Sequence, residues 1–446
     1  QRKADESCAH IPSRERTGAV NRRMLVVLGE DATELLSQWQ VSARPNSGPP
    51  APPGPANCWR TSVNSNDLSP RERLLTVLDF KEPDRVPVTV RNVRPMEHLW
   101  ATREERLEVL LGLGVDEPVT VTPRLRRHPD VQVRSWTEAA EPYPIRHTAF
   151  ETPAGALHVS AKHTPDWQPT DVPLFSDQIW SRGVEYLIKS RDDLPALDYV
   201  LPEPTDDDAN DFLANAKAAR ELAQRHGTWL QSSLHGGSIE TMSLLGTKNM
   251  MFLLHDDREL VEETLARVSR WGDKVLEVIL RAGVDVVYRS GCYETIDFWS
   301  PGQVRELFMP ILARQTKMCH AARARMHHFI ETGGMPFLDD YADMGIDILS
   351  ALDDNGVNPM DLAECKRILG GRVCLWGGVD PREAFERGTP ADAQREVLRV
   401  LRIMAPGGGY VLSTTGTFQE AAKEENVRAY IEAGKQFGRY PLDLLR

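Results

Sequence analysis

The chain has 446 residues, 41% of them hydrophobic, which is enough to build the core of one large domain. Its formal net charge of −12 argues against a general affinity for nucleic acid or anionic membranes, so we expect neither as a partner. No apolar run reaches the roughly 18 residues of a membrane span, and the first residues contain no apolar signal core, so we expect a cytoplasmic protein.

The first part of the chain differs in composition from the rest. Residues 43–56 (ARPNSGPPAPPGPA) are rich in proline and glycine, which disfavour helices and paired strands, and they indicate a linker. We therefore expect residues 1–67 to form a flexible N-terminal extension and residues 68–446 to form one folded domain. A helix is predicted to begin at Ser69, because Ser69 and Pro70 supply an N-cap and a proline at the first helical position.

One junction repeats along the folded part. Residues 113–116 (LGVD), 282–285 (AGVD) and 344–347 (MGID) each end a helical pattern and precede an apolar run, as at a helix-to-strand junction. Short apolar strands that alternate with helices indicate a parallel sheet, and eight of them permit a closed (β/α)8 TIM barrel. An open doubly wound sheet is the alternative, but no G-x-G-x-x-G follows the first strand. The eight candidate strands lie near residues 86–90, 117–122, 228–234, 285–289, 325–330, 347–350, 373–376 and 409–413.

A long insert separates the second candidate strand from the third. It covers about residues 123–227, and residues 145–162 contain two alternating runs around a Pro-Ala-Gly turn, which predicts a β-hairpin. Residues 205–226 are predicted to form a helix that leads into the third strand.

Several stretches resemble the uroporphyrinogen decarboxylase superfamily, and the resemblance spans about residues 69 to 446. It rests on the order and spacing of SPRERLLTVLDFKEPDRVPV (69–88), AGVDVVY (282–288), SPGQVRELFMPIL (300–312), DMGIDILSALDD (343–354) and ILGGRVCLWGGVDPREAFERGTPADAQREV (368–397). The resemblance implies an α/β fold of the (β/α)8 barrel type. It also implies one of two activities: cofactor-free decarboxylation of uroporphyrinogen, or methyl transfer between a corrinoid and a thiol such as coenzyme M, usually on zinc.

The motifs that separate the two branches are both incomplete. The decarboxylase branch carries R-Q-A-G-R-Y after the first strand, whereas this chain has only Arg91 and Arg94 within TVRNVRP (89–95). The methyltransferase branch usually carries H-x-C after strand five and a cysteine after strand eight, but here these stretches read HHFIETGG (327–334) and STTG (413–416). The resemblance therefore transfers neither the polycarboxylate motif nor the usual zinc ligands.

The residues themselves still suggest a site, because active sites of such barrels lie at the C-terminal ends of the strands. A thiolate, an imidazole and carboxylates are acceptable zinc ligands, so a zinc site is predicted on Cys292, Glu294, His328 and Glu331. Adjacent histidines on a strand face opposite ways, and we expect His328 to face the interior. The alternative is that these polar groups only satisfy their own loops.

Acid–base and binding roles complete the prediction. His328, Glu294 and Asp353 are the candidate catalytic residues, and replacing His328 or Glu294 by alanine is expected to abolish activity without unfolding the chain. Asp353 and Asp354 are adjacent carboxylates that can raise each other's pKa, although one of them could instead cap the following helix. The candidate substrate-binding residues are Arg91, Arg94, His235, Arg289, His327 and Asp354.

The leading functional hypothesis is corrinoid-dependent methyl transfer on a small or tetrapyrrole-linked substrate. The stretch ETPAGAL (151–157) resembles that branch more than the decarboxylases. Zinc is then a candidate cofactor, and a corrinoid, either free or carried by a corrinoid protein, is a candidate partner. The alternatives are a uroporphyrinogen III decarboxylase without cofactor and a non-catalytic barrel that binds a ligand.

Overall fold

The computed structural model describes residues 67–91, 93–416 and 421–443. The predicted N-terminal extension and its linker lie, up to residue 66, outside the described residues. Among the described residues, no helix is both long enough and apolar enough to span a membrane.

The strands form two sheets, and we number them in chain order. Seven parallel strands, β1 and β6 to β11, are neighbours in the order of the sequence, while β2 to β5 form a separate antiparallel sheet within the insert. The strands are β1 Val119–Thr120, β2 Gln132–Glu138, β3 Ile145–Thr152, β4 Gly155–Lys162, β5 Gly183–Glu185, β6 Leu230–Leu234, β7 Val286–Ser290, β8 Arg325–Phe329, β9 Ile348–Leu352, β10 Cys374–Val379 and β11 Tyr410–Thr414.

An extended segment, residues 86–90, closes the seven-stranded sheet into a barrel. On one side, Thr89 N–H donates to the Leu412 carbonyl and Leu412 N–H donates to the Pro87 carbonyl, each at 2.9 Å. On the other side, Asp116 N–H donates to the Val88 carbonyl at 2.6 Å. The predicted (β/α)8 barrel is confirmed, with this segment as its first strand.

Helices surround the barrel, and one closes its N-terminal end. The helix Pro70–Leu78 begins at a capping box of Ser69 and Glu72, as its sequence predicted, and its Leu74 and Val77 pack in one buried cluster with the inward residue Trp229. The α-helices are Pro70–Leu78, Arg103–Leu113, Gln178–Arg182, Leu194–Val200, Asp206–Arg225, Ser238–Leu245, Thr247–Asp256, Arg258–Arg281, Pro301–Gln303, Met309–Ala321, Leu338–Met344, Leu362–Leu369, Pro390–Met404 and Glu424–Phe437. The 3-10 turns are Arg94–Leu99, Arg191–Asp193 and Met335–Phe337, and the π turns are Val304–Phe308 and Arg382–Arg387.

The insert contains the predicted hairpin. Strands β3 and β4 pair antiparallel from Ile145 opposite Lys162 to Thr152 opposite Gly155, so the chain reverses at Pro153 and Ala154. The buried face of this sheet, including Phe150 and Leu157, joins the main hydrophobic core. The insert is therefore packed onto the barrel.

A buried carboxylate, Asp116, joins three parts of the barrel. It is fully buried, and Arg73 donates to its Oδ1 at 2.5 Å. Arg85 and the backbone N–H of Val88 donate to its Oδ2, each at 2.8 Å. These bonds tie the helix at the barrel's N-terminal end and the first strand to the junction that leads into β1.

We expect Asp116→Ala to lower the free energy of unfolding by about 3–5 kcal/mol, because it leaves the buried Arg85 without a carboxylate and Arg73 with only one of its two carboxylate partners, Asp84. Chemical denaturation measures the loss. Asp79→Ala is the control, since the Asp79 side chain is 57% exposed and should contribute little. A loss below about 1 kcal/mol for the Asp116 variant would contradict a structural role for this carboxylate.

Candidate functional site

A cavity of about 1050 Å³ opens at the C-terminal ends of the barrel strands. Its inner part lies within the barrel, and Thr89 and Arg91 from the first strand line its mouth. The side chains that line the inner part come from six further strands and alternate with buried outward-facing residues. They are Gln231, Ser233, Tyr288, His327, Phe329, Ser350, Trp376 and Ser413.

The register of β7 and β8 decides which histidine faces this cavity. Tyr288 is opposite His327, and their rings lie 5.1 Å apart. The ring of His327 also lies 4.7 Å from that of Trp376, whereas the His328 ring packs at 5.4 Å against Tyr341 in the helix layer. The expectation that His328 faces the interior is therefore wrong, and His327 takes that position because it is in register with the inward ring of β7.

His327 is a neutral base in a buried position. Its Nε2 lies 2.6 Å from Ser350 Oγ, which fixes the plane of the ring. Burial, together with the nearby positive charge of Arg91, lowers the pKa of His327 to about 3. At neutral pH the imidazole is uncharged and can either donate or accept one proton.

Arg91 places a positive charge at the top of the barrel interior. Its guanidinium lies 4.0 Å from the centre of the Phe329 ring, and its Nη2 donates to the Tyr288 hydroxyl at 3.3 Å. Burial raises the pKa of Tyr288 to about 12, so this partner is a neutral phenol. Among the described residues no carboxylate forms an ion pair with Arg91.

Two predicted site residues, Arg289 and Glu294, form a buried ion pair behind the barrel wall. The two nitrogens of the Arg289 guanidinium donate to the two oxygens of Glu294 at 2.7 and 2.8 Å, and both side chains are almost fully buried. Gln315 accepts from Arg289 Nε at 2.9 Å, and Ser238 N–H donates to Glu294 at 3.2 Å. This pair faces the helices and not the cavity, so its geometry is that of a structural element.

The remaining binding candidates also lie off the cavity wall. His235 Nδ1 lies 2.7 Å from Glu240 Oε1. Burial alone would raise the pKa of Glu240, but the hydrogen bond and the charge of His235 lower this pKa to about 2. Asp354 pairs with Arg399 at 2.7 Å. Arg94 begins a 3-10 turn and is half-buried, outside the residues that line the cavity.

Asp353 is buried at the mouth of the barrel, beside the cavity lining. Burial raises its pKa above the ordinary aspartate value, while its Oδ1 accepts from Asn355 N–H at 2.9 Å and its Oδ2 lies 3.3 Å from Arg382. The carboxyl is thus held by its own loop and by the π turn after β10. A catalytic role for Asp353 stays a prediction.

The residues proposed to hold zinc do not converge on one point. Cys292 packs near Tyr288 and Phe329 at the inner mouth, and burial followed by the negative charge of Glu331 raises its thiol pKa well above the ordinary value. Glu294 and His328 lie instead in the helix layer, beside Tyr341. The four residues therefore do not fit a single zinc ion, since each ligand must approach it to about 2.0–2.3 Å.

In the described part of the chain, a different set of three side chains has ligand atoms close enough to bind one ion. Glu104, Glu108 and His226 have ligand atoms within 4.8 Å of one another, and both glutamates are exposed. Glu104 is already paired with Arg225 at 2.9 Å. Exposed carboxylates of this kind are common without a metal, and we assign no metal chemistry to them.

Of the eight inner cavity residues, sequence reasoning predicted only His327, and it missed, among others, Tyr288, Ser350 and Trp376. Each of these three is a polar or aromatic residue inside an apolar strand, whereas the predicted site residues mostly follow the strand ends. Register would have found them, because in a parallel barrel each lies opposite an inward residue of the neighbouring strand.

Acid should destabilise the folded protein through His327. Its folded pKa of about 3 lies below the ordinary 6.5, so the unfolded chain takes up the proton first as the pH falls, and stability is lost between these values. We expect wild-type protein to lose about 2 kcal/mol more than His327→Gln between pH 7 and pH 5, measured by urea unfolding. His255→Gln, a change at an exposed histidine, should behave as wild type; equal losses in all three proteins would contradict the assignment.

The buried ion pair revises the expected effect of Glu294→Ala. We now expect it to lower the free energy of unfolding by about 3–5 kcal/mol, because Arg289 would remain buried without its partner. Glu263→Ala, which removes a half-exposed glutamate, is the control for this denaturation experiment. A Glu294→Ala variant as stable as the wild type would restore the view that the residue is dispensable for folding.

Comparison with known proteins now places this barrel in a family. A family model described as uroporphyrinogen decarboxylase (URO-D) matches residues 196–437, which is more than half of the chain. No curated protein sequence matches.

Solved structures share the fold at low sequence identity. A methyltransferase from Methanosarcina mazei superimposes with a TM-score of 0.53 at 18% identity, over 83% of this chain and 99% of its own. A B12-independent methionine synthase from Shewanella sp. W3-18-1 aligns with a TM-score of 0.35 at 16% identity, over 50% of this chain and 64% of its own, too partial to bear on function. The family match and the closed barrel agree, and the chain belongs to the uroporphyrinogen decarboxylase family.

Proposed function

We propose that this chain is an enzyme that binds a small organic anion inside the barrel and transfers a methyl group between that molecule and a corrinoid. The observation that carries the proposal is Arg91, a guanidinium at the mouth of the barrel interior with no described carboxylate partner, above the neutral base His327.

The anionic character of the substrate follows from the surroundings of Arg91. A carboxylate or sulfonate can accept two parallel hydrogen bonds from a guanidinium, and such bonds strengthen where water is displaced. Phe329 covers one face of Arg91 and leaves its edge for a ligand, while Tyr288 offers a hydroxyl beside it. The anion would therefore bind at the mouth with the rest of the molecule directed toward His327.

His327 is placed to handle the proton of a methyl acceptor. A thiol or hydroxyl bound beside it would lose its proton to the imidazole as the new bond to the methyl group forms, while the corrinoid keeps the electron pair of its cobalt–carbon bond. An anion at Arg91 would also weaken one of the two causes that lower the pKa of His327, so binding makes the imidazole a better proton acceptor. Ser350 holds the ring in position during this step.

Two considerations favour methyl transfer over decarboxylation of uroporphyrinogen. The porphyrin substrate carries eight carboxylates, whereas Arg91 is the single guanidinium among the described residues that line the inner cavity near His327. The fold shared with the Methanosarcina mazei methyltransferase and the ETPAGAL stretch of the insert support the same choice. No step of this proposal uses zinc, because the predicted ligands do not converge.

The test follows demethylation of methylcobalamin by its change in absorbance, with 2-mercaptoethanesulfonate or the uncharged 2-mercaptoethanol as acceptor. We expect Arg91→Gln to lower kcat/KM about 10- to 100-fold for the sulfonate, since a charged hydrogen bond contributes about 1.5–3 kcal/mol, and to change the uncharged thiol little. Arg134→Gln, a change at an exposed arginine of the insert, is the matched control.

Two results would contradict the proposal. One is the absence of demethylation with either thiol. The other is conversion of uroporphyrinogen III to coproporphyrinogen III by the purified protein, which would favour the decarboxylase alternative.

A further inference from the structure

The cavity does not end at the barrel wall. Residues on both faces of β1 line this cavity. Thr120 faces inward, in register with Gln231, and Val119 faces outward, in register with Leu230. On the outer side the cavity continues between the helices Arg103–Leu113 and Asp206–Arg225. A parallel strand of a closed barrel is normally covered by helices on its outer face, so an open space there is unusual.

Pro118 explains why the first strand and the segment that leads into β1 are joined by few backbone hydrogen bonds at this place. In the segment 116–120, which leads into β1, the N–H groups of alternate residues face the first barrel strand, and Asp116 N–H donates to the Val88 carbonyl. The next residue of the same parity is Pro118, which has no N–H to donate. Among the described residues, no further backbone hydrogen bond joins the two segments, and Val90 and Pro118 both line the cavity beyond this point.

The outer part of the cavity, which we name the side groove, has an apolar floor and a positive charge. Three acidic side chains line the cavity, and two of them are neutralised, because Glu117 pairs with Arg106 and Glu104 pairs with Arg225. Glu97 and Arg103 also line it and form no ion pair among the described residues. Arg124 lies at one of its edges and has no ion pair among the described residues. The apolar residues of the side groove are Leu107, Val119, Val121, Ala218, Ala219 and Leu222.

We infer that the side groove is a second part of the substrate site, reached between the first strand and β1, and that it takes the apolar chain of an elongated organic anion. This inference rests on the proposed anion site at Arg91. The head group would bind at Arg91 with the reacting group toward His327, and a second, apolar arm of the molecule would pass Pro118 and lie on Val119 and Ala218. The apolar floor of the side groove suits an aliphatic or aromatic body.

Chain-length dependence of binding tests the inference, with phenylacetate and 8-phenyloctanoate as probes in isothermal titration calorimetry. We expect the wild type to bind the longer acid at least tenfold more tightly, because only the longer acid reaches the side groove. Ala218→Trp, a change at an exposed helix position that lines the groove, should reduce this advantage below threefold and leave phenylacetate binding unchanged. Ala214→Trp, one turn earlier on the same helix and outside the cavity lining, is the matched control and should keep the full advantage.

The variants distinguish failure of the anion site at Arg91 from failure of the side groove. Arg91→Gln should weaken both acids alike, and no effect of this change would overturn the anion site itself. If Arg91→Gln weakens binding but Ala218→Trp keeps the advantage of the longer acid, the side groove is not part of the site. Equal affinity of the wild type for the two acids would overturn the inference as well.

Discussion

Closure of the barrel depends on Asp116, a buried carboxylate that accepts hydrogen bonds from two arginines and one backbone amide. Among the described residues, one backbone hydrogen bond joins the first strand to the segment that leads into β1, and the bond from Val88 N–H to the Asp116 side chain reinforces it. Arg73 and Arg85 reach the carboxylate from the helix at the N-terminal end and from the strand itself. Because this anchor lies at the N-terminal end of the barrel, the C-terminal end is free to open into a cavity.

Polar residues on the two faces of the barrel strands have different surroundings. Facing the helices, Arg289 and Glu294 neutralise each other and are fully desolvated, an arrangement that costs little only when both partners remain. Facing the interior, Arg91 forms no ion pair with a carboxylate among the described residues, and burial together with the Arg91 charge lowers the pKa of His327. A cation without a counterion beside a neutral base destabilises the folded protein when no ligand is bound. The same arrangement favours the binding of an anion.

The sequence could predict the barrel because its signals are local. Glycine-ended helices before apolar runs locate strands such as β7 and β9, and a proline after an N-cap serine locates the helix at Pro70. The site was predicted less well, because His327 and His328 are the same residue type at adjacent positions and only the register with Tyr288 distinguishes them. A carboxylate such as Glu294 likewise looks catalytic in sequence until its buried partner is seen.

The pairing of the first strand with the last has a consequence for synthesis of the chain. Thr89 and its partner Leu412 are 323 positions apart, so the barrel cannot close until the chain has left the ribosome beyond residue 412. Until then the first strand lacks β11, and the cavity that both Arg91 and Ser413 line is not formed. Until residue 412 has been made, the nascent chain exposes an unpaired sheet edge. A chaperone that binds this edge during synthesis would therefore help this chain more than a protein of the same size whose contacts are local.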